Sequence, residues 1–118
     1  MKQIPITIKS VDTKDRLVKF LNIIHKFHNL TSKEIAILVE FIVEYYAIKK
    51  KVTDNELLNK LLFDHTVKRK IGTRLNIKDS VFQNYLTVFR QKGVIKDNAL
   101  NTSYIPPEEP FEIIIRIL

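Results

Sequence analysis

A chain of 118 residues with 45% hydrophobic side chains, two glycines and four prolines has room for one ordered domain and not for two. Having no cysteine, it can build neither a disulfide framework nor a thiolate metal site, and that count leaves the compartment open. The net charge of +7 points toward anionic partners, provided that the cations converge in space.

From the N-terminus, Ile4, Ile6 and Ile8 alternate with Pro5, Thr7 and Lys9, which is strand periodicity. Pro5 confines that strand to an edge or an end. Asp12 is placed to cap a helix running to about His28, with Leu17, Phe20, Leu21, Ile24 and Phe27 or His28 on its buried face and Lys14, Lys19 and Lys26 pointing away. A second helix opens at Thr31, where Glu34 completes a capping box and Leu30 with Ile35 forms a hydrophobic staple. From Ile35 to Ile48 it is apolar nearly all round, with Lys33, Glu40, Glu44 and Lys51 as a thin polar stripe. Such a helix is buried on several sides, as a scaffold for the other elements or as a surface shared with a second subunit. Lys49, Lys50 and Lys51 close it in the sense its dipole favours. Thr53 and Glu56 offer a capping box for a short helix through Leu57, Leu58, Leu61, Leu62 and Phe63, and Asp64-His65 breaks it.

Val67, Ile71 and Leu75 recur at i, i+4 and i+8, so 66–74 reads as a further helix, and Asn76-Ile77-Lys78 is a tight connection to the next. Over 80–92, Val81, Phe82, Tyr85, Leu86 and Phe89 form one apolar stripe, with Ser80 and Gln83 at capping-box spacing and Asp79 as the competing cap. Ser80, Gln83, Asn84, Thr87, Arg90 and Gln91 are left facing outward. Gly93 supplies the left-handed residue that ends a helix, and Val94-Ile95 begins an extended run. Lys96–Ser103 suits the tip of a hairpin whose return starts at Tyr104-Ile105. Pro106–Pro110 is an acidic spacer. Phe111, Ile113, Ile115 and Ile117 then alternate with Glu112, Ile114, Arg116 and Leu118 in a terminal strand apolar on both faces. Such a strand pairs beside Ile4–Ile8 or docks on a partner chain.

The charge is unevenly spread. Residues 66–96 hold eight basic side chains against Asp79 alone, a local excess equal to that of the whole chain. Phosphate binding needs such convergence.

Two helices joined by about three residues, the second with an exposed polar face, define a helix-turn-helix. The segment IGTRLNIKDSVFQNYLTVFRQKGVI resembles the core of the winged-helix DNA-binding superfamily over residues 66–96. Leu75 and Ile77 flank the turn, Ser80 opens the recognition helix, Val81, Tyr85, Leu86 and Phe89 anchor it, and Lys92–Ile95 leads into the first wing strand. The segment departs from that pattern at Gly72, where alanine is more usual. The resemblance implies a mainly α fold with a small β-sheet: a winged helix-turn-helix with an N-terminal strand-helix extension. It divides the single domain 1–118 into the extension 1–30, a helical core 31–96, and a wing with terminal strand 97–118.

The resemblance further implies double-stranded DNA as partner and a role in transcriptional regulation. Ser80, Gln83, Asn84 and Thr87 are the candidates for reading base edges, since amides bond adenine bidentately and threonine touches the thymine methyl. Arg69, Lys70, Arg74, Lys78, Arg90, Lys92 and Lys96 are the candidates for phosphate. A rival reading is a structural or adaptor protein that uses the same fold for protein contacts. The composition is similar to that of small lysine- and asparagine-rich bacteriophage proteins, which would place it in a virion, for example at the head-tail connector. Homo-oligomerisation through the Ile35–Ile48 helix or the terminal strand is expected under either reading.

His25 and His28, at i and i+3, make at best half a metal site, and His65 is distant in sequence, so no metal or other cofactor is expected. No glycine-rich phosphate loop, paired-carboxylate motif or serine elbow appears, so the chain does not read as an enzyme. No apolar window is long enough to span a bilayer and MKQIPITIKS lacks a signal-peptide core, which makes the cytoplasm of a cell or phage host the expected location.

Overall fold

One helix, most of it buried, holds the other helices together. A computed structural model describes residues 2–8, 12–109 and 111–117, with side chains described over 12–24 and 29–109. The order is β1 (Lys2–Ile8), α1 (Thr13–His28), α2 (Ser32–Lys49), α3 (Asn55–Leu62), α4 (His65–Leu75), α5 (Asp79–Lys92), β2 (Ile95–Lys96), β3 (Ala99–Leu100), a 3-10 turn (Thr102–Tyr104) and β4 (Phe111–Ile117). The chain is thus mainly helical with two small antiparallel ladders, β1 with β4 and β2 with β3. Among the described residues no helix is long and apolar enough to cross a membrane.

α2 starts as its sequence dictates: the Thr31 hydroxyl accepts from Glu34 N–H and the Glu34 carboxylate accepts from Thr31 N–H. Ile37, Leu38, Phe41 and Ile42 are almost wholly shielded, each stabilising the fold by about 1.5–3 kcal/mol. α1, α3 and α4 pack around α2, and its apolar surface is covered by the chain itself. Of the two expectations for this helix, its packing against α1, α3 and α4 is that of the scaffold.

Where the cap residues compete, the structure departs from the capping-box spacing. Asp54, not Thr53, caps α3, its carboxylate accepting from Glu56 and Leu57 N–H. Asp64 caps α4, accepting from Thr66 N–H, so the break at Asp64-His65 is the start of α4 itself. Lys78 occupies the N-cap of α5 and no side chain caps that end, so Ser80 and Gln83 form no capping box.

The ends of α4 and α5 share one geometry. Asn76 (φ 54°) and Gly93 (φ 78°) are left-handed. Ile77 N–H bonds Gly72 C=O at 2.8 Å and Val94 N–H bonds Phe89 C=O at 2.9 Å, the six-to-one closure of a Schellman motif. Gly72 has its reason here: a Cβ would stand 3.2 Å from the Ile77 carbonyl oxygen, so the tight turn favours glycine over the more usual alanine.

The β2–β3 hairpin is shorter than its sequence suggests. Asp97 (φ 54°) and Asn98 (φ 59°) alone make the turn, as in a type I′ connection, and the return strand is Ala99–Leu100 rather than Tyr104-Ile105. Tyr104 lies buried in the 3-10 turn, and Leu100 N–H donates to Asn59 Oδ1 at 3.1 Å, which ties the hairpin to α3. The segment after it is docked rather than a free spacer. Tyr46 Oη donates to Pro106 C=O and Arg16 to Glu108 C=O, while Lys50 pairs with Glu108 at 3.2 Å. Burial against that segment pushes the Tyr46 hydroxyl up to about 12. β4 then pairs with β1 in antiparallel register, Ile4 opposite Ile115 and Ile8 opposite Phe111.

Candidate nucleic-acid interface

The α4–turn–α5 unit is the basic part of the chain, and its side chains divide by what they meet. On α5, Phe82, Leu86 and Phe89 face the core and Tyr85 is half-buried. Val81, expected on that stripe, is 43% exposed, because the stripe is only as wide as α5's contact with its neighbours. The opposite face carries Ser80, Gln83, Asn84, Thr87 and Gln91, all exposed, at i, i+3, i+4, i+7 and i+11. Nothing in the described chain covers them. The Thr87 hydroxyl donates to the Gln83 carbonyl at 3.1 Å, so it is already spoken for within the helix.

The seven candidate phosphate ligands do not stay together. Arg74 donates to Glu40 at 2.8 Å and to Glu44 at 3.3 Å, and this pairing raises its pKa further, hydrogen bonding to Glu40 being the largest cause. Lys70 pairs with Glu44 at 3.1 Å. Lys92 donates to Glu34 at 2.6 Å and to the Asn29 carbonyl at 2.7 Å. These three are held against carboxylates on α2 that are themselves buried. Drawing any of them away would weaken the pairing of a buried acid, although Glu40 keeps Lys14 and Glu44 is shared by Lys70 and Arg74.

Arg69, Lys78, Arg90 and Lys96 make no ion pair among the described residues and are exposed. Arg69 donates to His65 Nε2 at 2.7 Å, which asks for a neutral imidazole protonated at Nδ1. Lys78 stands at the N-terminal end of the amide face and Arg90 at its C-terminal end. Lys96 follows on β2. An open cleft of about 500 Å³ between the end of α5 and the 3-10 turn is lined by Arg90, Lys96, Asn101 and Ser103 among others, a notch where an anionic backbone would meet two uncommitted cations. The hairpin tip itself is Asp97-Asn98 and offers no cation.

Sequence reasoning missed the pairing of Glu34, Glu40 and Glu44 with cations of other elements. Glu40 and Glu44, at i and i+4 on an otherwise apolar helix, were legible as part of a thin polar stripe, and both are buried. Glu40 also takes Lys14 at 2.9 Å, so that lysine of α1 turns inward instead of away. The signal was available: a helix apolar on every side leaves its carboxylates no water to face, and buried carboxylates are paired. No group of three metal-ligating side chains occurs among the described residues, and the side chains of His25 and His28 lie outside them.

Comparison of the chain with protein-family models, curated proteins and solved structures finds no match.

Proposed function

We propose that the chain binds double-stranded DNA as a winged helix-turn-helix and acts as a transcriptional regulator in the cytoplasm. In this reading α4 and α5 are the helix-turn-helix, α5 enters the major groove and the Ile95–Leu100 hairpin is a short wing. One observation carries it: a single exposed face of α5 presents Ser80, Gln83, Asn84 and Thr87 between uncommitted cations at either end. Gln83 and Asn84 are suited to adenine edges, and Thr87, whose hydroxyl is already used, to contact with a thymine methyl. Lys78, Arg90, Lys96 and Arg69 take phosphates and set the register of the helix in the groove. The test is duplex binding across a range of salt. The reading requires a steep loss of affinity with salt and a preferred sequence; a flat response would overturn it.

A second reading, an adaptor within a larger assembly such as a phage virion, is favoured by a different observation. Leu57 and Leu61, one turn apart on α3, are 46% and 40% exposed, and the hairpin tip is acidic rather than basic. Co-purification with a second protein and no duplex affinity would favour it.

A further inference from the structure

We propose that two copies of the chain join edge to edge through β4, forming a four-stranded antiparallel sheet in the order β1-β4-β4-β1 with its two-fold axis at Ile114. Among the described residues β4 pairs only with β1, so its second edge has no strand partner. An isolated two-stranded ladder is marginal in water, and a third strand is the usual remedy.

The register says which edge is used. Pro5 stands opposite Ile114 at the middle of the ladder. Proline has no N–H, so this pair loses nothing only as the non-hydrogen-bonded kind. That choice leaves the outer edge of β1 without its central donor. It also turns the N–H and C=O of Glu112, Ile114 and Arg116 to the outer edge of β4. One residue thus blunts β1 and opens β4.

The sequence of β4, Phe-Glu-Ile-Ile-Ile-Arg-Ile, is complementary to itself in reverse. With Ile114 on the axis, Glu112 stands opposite the partner's Arg116 and Arg116 opposite the partner's Glu112. Phe111 meets the partner's Ile117, and Ile113 the partner's Ile115. Ile114 then faces its own copy in a hydrogen-bonded pair, the pattern that the Pro5 register requires. Opposite charges directly across an antiparallel pair favour it and like charges oppose it. Within one chain the same two residues face neutral partners, Thr7 and Gln3. The register thus places no charge directly opposite either residue within the chain, and a second copy in this register would place one opposite each.

The test is the sedimentation mass of the full chain without DNA at low salt, for wild type, Glu112→Lys, Arg116→Glu and the double variant. Wild type is expected at twice 13.9 kDa. Each single variant creates two like-charge pairs and is expected to raise the dimer dissociation constant about tenfold, with the double variant back near wild type. Unchanged helical circular dichroism verifies folding, since the residues directly opposite, Thr7 and Gln3, are neutral. A monomeric wild type, single variants that dimerise like wild type, or a double variant that stays dissociated would each overturn the proposal. Because DNA is not in the experiment, its outcome leaves the duplex test independent.

Discussion

The cations of α4 and α5 fall into two populations with the same chemistry and opposite circumstances. Arg74, Lys70 and Lys92 lie against α2 and are neutralised by Glu40, Glu44 and Glu34. Lys78, Arg90 and Lys96 stand around the open amide face and make no ion pair among the described residues. Charge counted along a chain is thus not charge presented to a partner. The first population ties α4 and α5 to the scaffold, and the second is left without an ion pair among the described residues.

That contrast can be sharpened by substitution. On the open side, Gln83→Ala or Asn84→Ala is expected to weaken binding to a preferred duplex by about 1–3 kcal/mol while leaving the urea midpoint unchanged. On the held side, Arg74→Ala should do the reverse. It leaves Glu40 with Lys14 alone, and the loss of stability in urea is expected at about 2 kcal/mol, below the value for a fully buried pair because a third of the Arg74 side chain is exposed. Affinity per folded molecule should not change. Tyr46→Phe removes the donor to the Pro106 carbonyl and is expected to cost about 1 kcal/mol in the same measurement, with no effect on DNA. The smallest effect concerns Asp64, whose carboxyl is held below its ordinary value by hydrogen bonds from Thr66. A depressed folded pKa stabilises the protein above the ordinary carboxylate range and is lost as pH falls through the folded value. Asp64→Asn keeps a cap residue but should flatten the acid limb of a stability-against-pH curve.

The amide face of α5 was legible because helical periodicity separates Phe82, Leu86 and Phe89 from Gln83, Asn84 and Thr87 without any tertiary knowledge. The same holds for the Thr31–Glu34 box and the left-handed Gly93, while the pairing of the two terminal strands was one of two alternatives that the sequence left open. What was not legible depended on contacts distant in sequence. Glu40 meets Arg74 and Lys14 only once α1 and α4 have packed on α2, and the Pro106–Glu108 segment is docked by Tyr46 and Arg16. The hairpin was misjudged for a local reason. Asp97 and Asn98 both accept left-handed backbone, so a two-residue turn replaces the longer loop that 96–103 suggests. At α5 the serine signal failed because Lys78 already occupies the cap position, one residue before Asp79.

The most direct measurement is the salt dependence of duplex affinity for wild type beside two charge variants, Lys78→Ala/Arg90→Ala/Lys96→Ala and Lys70→Gln/Lys92→Gln, each checked for native helical content. The open triplet is expected to flatten the slope of log affinity against log salt by about 2–3, one phosphate contact per cation, while the acid-held pair leaves it close to wild type. Equal slopes for all three proteins, or equal losses from both variants, would contradict the division between held and open cations on which the account stands.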